Sequence, residues 1–561
     1  MRLTTYNQPV VLFFLSFRKR EVLAIAVNTA VVFVLTVFLT LQASAQASSD
    51  LGQEGAASGR GRILLVLPFD NRTGQPSLEW IREAAPEILG RRFASAGFAP
   101  MSRADRLYAL DHLGLPEGFQ PSRASSLKLA QTLDADSIIV GSYLTDGSGI
   151  VAEAQVVDVP HLRMNAPVTA RGEMRDMIAV LDSLAWKLTR QLDPGFSGSE
   201  ETFVAAGKGL RLDAFEQYIR GITEPDQAER LRHLQQAVKL SPEFGAAWME
   251  LGRQDYNGQQ YEQAASAFAK VAGDDSDALE AGFYRGLSLL FSGDYPRAEQ
   301  AFGGVARILP LAEVLNNQGV AISRQGHDGS ALFRQAVTAD PNAADYHFNL
   351  AVSLKRHGGT AEAMSEMVQS LKLRSNDSEA QAVLAAWKAP AAVSSGGANS
   401  ESQADPLERI VRTFDAVAFR QAALVMDQMD ASRLAALTPH QRALKLAGQA
   451  KDYLDHGLLL EAERLFQSAV AADGKVAEAH AGLAEVRERT GDAAAARKEA
   501  QTALELQPTA EAYLVLGRLD LAANRLDEAG KEAGQSLKLD PGSQAAQQLN
   551  RQIESKTGNK Q

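Results

Sequence analysis

Two stretches decide the fold and carry matching residues 34 positions apart: GAAWMELGRQDYNGQQYEQAASAF (residues 245–268) and LEAGFYRGLSLLFSGDYPRAEQAF (residues 279–302). The matching residues are a glycine, an alanine and a phenylalanine: Gly252, Ala264 and Phe268, then Gly286, Ala298 and Phe302. Self-similarity at such a period is the signature of stacked helix pairs. The small residues allow two helices to approach at their crossing, and the large residue fills the space beside them. The sequence therefore predicts an all-α array.

The repeats resemble those of the tetratricopeptide repeat (TPR) family. Trp248-x-x-Leu251-Gly252 opens one unit in the way typical of that family, and Pro310 closes the next. Less regular units are found on either side, at residues 212–242, 319–341 and 350–363. The resemblance implies a first TPR array at residues 211–385.

A second set of repeats follows towards the C-terminus. Gly457, Ala462 and Phe466 are matched 34 positions later by Gly491, Ala496 and Ala500, and a last unit covers residues 513–541. The resemblance implies a second TPR array within residues 407–555. Residues 386–406 precede it, and their Ser, Gly and Ala composition is typical of a flexible linker.

The start of the second array is predicted to be helical, from residue 407 to residue 440. The apolar residues that share one helical face there are Ile410, Phe414, Val417, Ala418 and Ala422. Because terminal units of a stack need a covering element, we expect this segment to cap the second array.

A different pattern precedes the repeats and predicts a small α/β domain at residues 62–195. Short apolar runs at residues 63–67 and 137–141 predict buried strands. A tight hairpin is predicted at Asp146-Gly147-Ser148-Gly149, because glycine supplies the positive φ that such a turn requires. The alternating residues 150–156 predict a half-buried strand. Amphipathic helices are predicted at residues 78–95, 127–133 and 177–188.

This part of the chain resembles the N-terminal domain of TolB and its relatives, including FlgO- and LpoB-type lipoproteins. The resemblance rests on ILLVLPFDNRTG, an amphipathic helix, GFAPMSRADRL and DADSIIVGSYLTDGSGIVAEAQVVDV. It implies a docking module of the cell envelope that has no catalytic residues. No β-propeller follows and the lipobox cysteine is missing, so the partners known for those families do not transfer. The fold class predicted for the chain is thus α+α/β: a small mixed-sheet domain followed by an all-α TPR superhelix in two arrays.

The first 45 residues read as an export segment. Arg18-Lys19-Arg20 precedes an apolar stretch at residues 22–41, and Ala43-Ser44-Ala45 has the form of a cleavage site. We expect cleavage after Ala45, but the apolar stretch is also long enough to anchor the chain in the inner membrane. Residues 46–61 are predicted to be a spacer. Both alternatives place the rest of the protein in the periplasm or cell envelope.

Composition and charge exclude several classes of partner and of catalytic chemistry. The formal net charge is −11 and the sequence beyond the export segment has no cluster of Lys and Arg, which argues against nucleic acid as a partner. There are no cysteines, so thiolate nucleophiles and Cys-bound zinc are excluded. None of the nine histidines has the spacing of a metal-ligand pair, and Asp274-Asp275-Ser276-Asp277 lacks the glycine and glutamate of a calcium loop. We therefore expect no catalytic residue, no metal and no cofactor.

The predicted function is protein binding by a scaffold that assembles or regulates an envelope complex. The first helix of each unit lines the groove of a TPR array, where peptides or partner helices bind in this family. The groove residues inferred from that resemblance are Arg253, Tyr256, Asn257, Asn316, Arg324, Asn349, Lys355 and Arg356. Their basic and amide groups suit an acidic peptide or an extended backbone. The alternatives are a sensor whose α/β domain binds a small molecule or glycan, and an enzyme of unknown type.

Overall fold

The computed structural model describes residues 63–119, 122–273, 277–389, 406–414, 429 and 431–558. The predicted export segment and spacer lie outside these ranges, as do most of the predicted linker and the residues Val417, Ala418 and Ala422. Within the ranges, none of the helices combines the length and the apolarity that a membrane span requires. The limits predicted for the individual domains stay predictions.

The N-terminal part of the described chain is a mixed sheet with helices. Its strands are β1 (Ile63–Val66), β2 (Asp70–Asn71), β3 (Ala99–Pro100), β4 (Ser137–Asp146), β5 (Gly149–Asp158), β6 (Arg163–Met164) and β7 (Val168–Glu173). The principal order is β3-β1-β4-β5-β6, with β2 paired to β4 and β7 to β5. Strand β1 is parallel to β3 and β4, whereas β5 is antiparallel to β4 and β7. The helices are α1 (Ile81–Ser95), α2 (Arg103–His112), α3 (Arg123–Thr132) and α4 (Met177–Leu192).

The sheet has a core on each face, as its pattern predicts. On one face, alternate β5 residues from Ile150 to Val156 pack against α1 and α4. On the other face, Leu65 and Ile138 pack against α2 and α3. Gly147 has a φ of 60° in the hairpin, where Asp146 is paired with Gly149 across a two-residue turn.

Helices make up most of the rest of the described chain. Helix α5 (Glu200–Ala206) leads into a first array: α6 (Leu212–Thr223), α7 (Gln227–Leu240), α8 (Gly245–Asn257), α9 (Tyr261–Phe268), α10 (Ala278–Phe291), α11 (Tyr295–Ile308), α12 (Ala312–Arg324), α13 (Ser330–Ala339), α14 (Ala344–Arg356), α15 (Thr360–Leu373) and α16 (Ser378–Lys388). The second array contains α17 (Pro439–Asp455), α18 (Leu459–Ala472), α19 (Ala477–Thr490), α20 (Ala493–Leu506), α21 (Ala510–Ala522), α22 (Leu526–Leu539) and α23 (Gln544–Gly558). Successive helices pack as antiparallel pairs, so the predicted fold class is confirmed.

Glycines at the helix crossings explain the repeat. A Cβ atom on Gly252 would lie 2.7 Å from Cε1 of Phe268, and one on Gly286 would lie 2.7 Å from Cε1 of Phe302. Since real Cβ atoms need about 3.5–4.0 Å from a ring carbon, only glycine allows this approach. The small and large residues of the repeat therefore have the packing roles that the sequence predicts.

The matching glycines of the second array have a different role. Gly457 and Gly491 follow helix ends and have φ values of 81° and 95°, so they allow left-handed turns between helices. The close approach is made instead by Gly482, whose Cβ would lie 2.1 Å from Cε1 of Phe466. The glycines that recur at an offset of 34 residues therefore lie at helix crossings in the first array and at the turns after helices in the second array.

The helix predicted from residue 407 is wrong for residues 407–414, which have no helical structure. Their backbone groups bond to asparagine side chains of the first array instead of to one another. Helix α16 ends at Lys388, inside residues 386–406, for which the sequence predicts a linker. Next to the second array, residues 431–435 are helical and Leu434 packs against the apolar core of that array.

The second array also contacts the loop that follows α4. Glu463 is fully buried and accepts hydrogen bonds from the backbone N–H of Ser199 at 3.2 and 3.3 Å. Arg487 pairs with Glu463 and donates to the Ser199 hydroxyl. The second array therefore packs against the segment that joins the α/β domain to the first array.

Candidate functional site

A groove of the first array contains a segment of the same chain. Helices α10, α12, α14 and α16 are the first helices of successive pairs. Residues 406–414 (PLERIVRTF), which we call the strap, contact each of these four helices. The strap runs from α14 and α16 at its start to α10 at its end. The geometry of this groove is therefore that of an array with a bound polypeptide.

Two asparagines bind the backbone of the strap. Asn349 Nδ2 donates to the carbonyl of Arg409 at 2.7 Å, and the N–H of Arg409 donates to Asn349 Oδ1 at 2.6 Å. Asn317 makes the same pair of bonds with Val411, at 2.7 and 3.0 Å. Backbone groups of alternate residues point in one direction only when the chain is extended. The asparagine pair therefore holds the strap in an extended conformation.

A third asparagine joins the other two. Asn316 Nδ2 donates to the Arg409 carbonyl at 3.1 Å, and its Oδ1 accepts from Asn349 at 2.8 Å. All three asparagine residues are fully buried. Because a buried amide without partners costs about 1–3 kcal/mol, their bonds to one another and to the strap account for polar residues at this position.

The Arg409 side chain has a pocket of its own. Its Nη1 and Nη2 lie 2.6 and 2.9 Å from the two oxygens of Asp377, a bidentate pair. Asp345 accepts from Nη1 at 2.8 Å and Glu379 from Nη2 at 2.7 Å. The guanidinium carbon is 3.7 Å from the centre of the Phe348 ring. The pocket thus surrounds one cation with three carboxylates and an aromatic face.

These contacts shift the pKa values of Arg409 and Asp377 so that the charged form of each is favoured. Burial alone would lower the pKa of Arg409, but hydrogen bonds to Asp377, Asp345 and Glu379 outweigh it and raise the pKa. The hydrogen bond from Arg409 is the main reason that the pKa of Asp377 is lowered. Groups with a lowered pKa stabilise the bound state above their ordinary pKa, and the stabilisation is lost as the pH falls through the lowered value. The ion pairs between Arg409 and these carboxylates are therefore fully charged at neutral pH.

The neighbouring Glu408 meets the opposite charge. Its carboxylate pairs with Arg356 and accepts a hydrogen bond from the Ser323 hydroxyl, and the carboxylate is almost fully buried. Arg324 Nη2 donates to the backbone carbonyl of Glu408 at 3.1 Å. Arg356 Nη2 also donates to the Pro406 carbonyl at 3.2 Å. A basic pocket for an acidic residue therefore lies beside the acidic pocket for Arg409.

The rest of the strap is held by apolar contacts. Ile410 and Phe414 pack against the apolar core of the array, and the ring centres of Phe414 and Phe283 are 5.5 Å apart. The Arg412 guanidinium lies 5.0 Å from the centre of the Phe291 ring. Apolar burial provides affinity at this end of the groove, because it removes side-chain surface from water.

Comparison with known proteins identifies the helical arrays. The family model of the tetratricopeptide repeat matches residues 252–312, 448–511 and 488–544. These segments are TPRs. They include helices of both arrays, and of the four helices that contact the strap, α10 lies within the matched residues. None of the curated proteins matches the sequence.

Solved structures match parts of the chain. MamA from Desulfovibrio magneticus RS-1 is 20% identical over 32% of this chain and 100% of that chain, with a TM-score of 0.26. YrrB, a TPR protein with an unusual peptide-binding site, is 14% identical over 36% of this chain and 97% of that chain, with a TM-score of 0.27. The C-terminal domain of LpoB from Salmonella enterica is 17% identical over 21% of this chain and 87% of that chain, with a TM-score of 0.18. The resemblance of residues 62–195 to the TolB N-terminal domain stays a prediction.

The structure brings together four of the residues that the sequence predicts for the TPR groove. Asn316, Arg324, Asn349 and Arg356 all contact the strap. That they bind a partner protein stays a prediction, because the segment they contact belongs to the same chain.

The other four predicted residues have different surroundings. Arg253 forms ion pairs with Glu250 and Glu280, and Lys355 lies 5.8 Å from the ring centre of Trp387. Tyr256 packs against other aromatic rings, and Asn257 is exposed at the end of α8.

Sequence reasoning missed several residues that the strap contacts. Asn317 follows Asn316 directly, so a search for paired amides on one helix could have found it. Asp377 caps α16 by accepting from the N–H of Ala380 at 3.0 Å. Because a helix cap is sufficient reason for an aspartate at this position, the sequence did not indicate the bond to Arg409. No sequence feature of α14 indicates that Asp345 is a binding residue. The sequence feature that could have indicated the acidic pocket is the pair of adjacent opposite charges in the strap, Glu408 and Arg409.

The α/β domain borders a polar cleft of about 390 Å³. In the alternative in which the α/β domain is a sensor, this cleft is where a small molecule or glycan would bind. Its charged groups pair with one another: Arg82 lies 2.9 Å from Glu79, and Arg103 lies 4.0 Å from Glu83. A ligand would have to break these pairs, so the groove is the better candidate site. Within the described ranges, no group of His, Asp and Glu side chains has the arrangement of a metal site.

Proposed function

We propose that this protein is a non-enzymatic scaffold of the cell envelope whose first TPR array binds extended segments of other proteins. The observation that carries the proposal is the pair of bonds that Asn317 and Asn349 each make to a backbone N–H and carbonyl of the strap. Such bonds depend on an extended backbone and not on particular side chains. The same asparagines can therefore bind the backbone of another polypeptide.

The envelope location rests on the N-terminal sequence. Residues 1–45 have the basic and apolar stretches of an export segment, and we propose that the protein acts in the periplasm, either free after cleavage at Ala45 or anchored through residues 22–41. The α/β domain would serve as a second docking module. Cell fractionation and N-terminal sequencing of the mature protein test this part, and an intact Met1 in the cytoplasmic fraction would contradict it.

Site-specific photo-crosslinking in living cells tests partner binding. A photoreactive amino acid is placed at Asn257 or Lys355, which are predicted groove residues, and at Glu262, an exposed residue of α9, as the matched control. We expect adducts with one or a few envelope proteins from the groove positions and a different pattern from the control. If the groove positions yield no protein adduct, or the same adducts as Glu262, the proposed function is wrong.

A further inference from the structure

The strap shows which side chains the groove can select. The Arg409 pocket combines a bidentate carboxylate, two further carboxylates and a ring face at 3.7 Å. A planar guanidinium can satisfy the carboxylate and the ring at the same time, whereas the compact ammonium group of lysine cannot. The pocket is therefore suited to arginine.

The preceding position, Glu408, also has a pocket of complementary charge. Glu408 is paired with Arg356 and Ser323 in a site where its side chain is almost fully buried. A basic residue at this position would place like charges in contact, which excludes ligands with Lys or Arg there. After the charged pair, Ile410 and Val411 pack against apolar residues of the array. The four positions together define a sequence class: Glu-Arg followed by two apolar residues.

Building on the function proposed above, we infer that the groove binds partner peptides of the class Glu-Arg-apolar-apolar and that the strap is an internal copy of such a ligand. A partner can then enter only when the strap leaves. The strap is joined to α16 through residues 389–405, and a tether of this kind gives a bound segment a high effective concentration. The apparent affinity for an external peptide is its intrinsic affinity multiplied by the fraction of molecules whose groove is empty. The strap therefore sets the threshold for partner binding.

Peptide binding to the full-length chain tests the inference. The probe is a fluorescein-labelled peptide with the sequence of residues 406–414, and fluorescence anisotropy measures its affinity. The chains compared are the wild type, the variant Glu408→Ala/Arg409→Ala, and the control Leu407→Ala, whose side chain is 61% exposed in the strap. Releasing the strap should tighten peptide binding by about tenfold or more, because the competent fraction rises, while the control should bind like the wild type.

Two altered peptides test the selectivity of the groove in the double variant. A peptide with Arg409→Lys should bind about tenfold more weakly than the original, because the bidentate and stacking contacts are lost. A peptide with Leu407→Ala should bind with unchanged affinity. If the double variant has a lower melting temperature than the wild type, the chain variant Arg409→Lys replaces it, since this change keeps every backbone contact of the strap. The peptide affinity of this variant should lie between that of the wild type and that of a chain whose strap is fully released.

Several results would overturn the inference. Equal peptide affinity of the wild type and the strap variants would show that the strap does not compete. Equal binding of the Arg409→Lys and Leu407→Ala peptides would show that the groove does not select arginine. A wild-type dimer that dissociates when Glu408 and Arg409 are replaced, as seen by sedimentation velocity, would show that the strap occupies a second copy. Each of these results leaves the groove crosslinks of the proposed function untouched, whereas missing crosslinks with intact peptide selectivity would refute the function alone.

Discussion

Replacing the crossing glycine Gly482 with alanine tests the packing that creates the arrays. The variant Gly482→Ala would place a Cβ atom 2.1 Å from Cε1 and Cζ of Phe466. Contact between carbon atoms requires about 3.5–4.0 Å, so the overlap exceeds about 1 Å. The ring is 1% exposed, and it cannot move into solvent without leaving the core of the array.

Two opposing effects set the size of the change. Overpacking of a buried site costs about 1–3 kcal/mol, and an overlap this large with a fixed ring belongs at the upper end of that range. Alanine is favoured over glycine inside a helix by about 1 kcal/mol. The clash is the larger effect, so we expect Gly482→Ala to destabilise α18 and α19 by a net value of about 2 kcal/mol.

Hydrogen–deuterium exchange followed by mass spectrometry measures the effect locally, since a chain with several domains need not unfold in one step. Amides of α18 and α19 should open about 30-fold more often, which corresponds to about 2 kcal/mol. The matched control is Gly448→Ala in α17, where no atom lies within 4 Å of the added Cβ. This control should slow exchange, because it gains about 0.5–1 kcal/mol of helix stability and meets no neighbour.

The double variant Gly482→Ala/Phe466→Leu should recover part of the loss, because leucine removes the ring carbons that clash. Slower exchange in Gly482→Ala than in the wild type would refute the packing argument. So would equal exchange in the single and double variants, since the clash would then not lie with the ring of Phe466.

Three further predictions concern other parts of the molecule. Phe302→Ala should destabilise the first array by about 3–5 kcal/mol, measured by amide exchange in α10 and α11, because the ring is fully buried; a loss below about 1 kcal/mol would contradict its role. Arg92→Met should destabilise the α/β domain by about 3–5 kcal/mol at pH 8, because it leaves the buried carboxylate of Asp182 unpaired. That loss should shrink at pH 5, since burial raises the pKa of Asp182 to about 6, and urea unfolding followed by tryptophan fluorescence would show whether it does. Burial and the nearby Asp520 raise the pKa of Glu532 to about 7, so its contribution to stability is full below about pH 4.5 and is lost as the pH rises through 7. Glu532→Gln should remove this pH dependence from amide exchange in α22, and an unchanged profile would refute the assignment.

Much of the fold could be predicted because the decisive residues interact with near neighbours in sequence. Gly252 meets Phe268 across one helix pair, and Gly147 serves a turn of two residues. The candidate site was predicted in part for the same reason, since the asparagines and arginines of the groove follow the period of the repeat. The acidic pocket was missed because Asp345, Asp377 and Glu379 are brought together by Arg409, which lies at least 30 residues from each of them, and the bond between Arg409 and Asn349 spans 60 residues.

The sequence by itself determined the succession of strands and helix pairs, since alternation and the 34-residue period record which side chains must be buried against their neighbours. Tertiary structure alone decided the conformation of residues 406–414. Ile410 and Phe414 have the spacing of one helical face, yet the backbone between them bonds to asparagines up to 94 residues away. A pattern of burial does not name the partner that covers a side chain, and this segment found its hydrogen bonds in the groove of the first array rather than in a helix of its own.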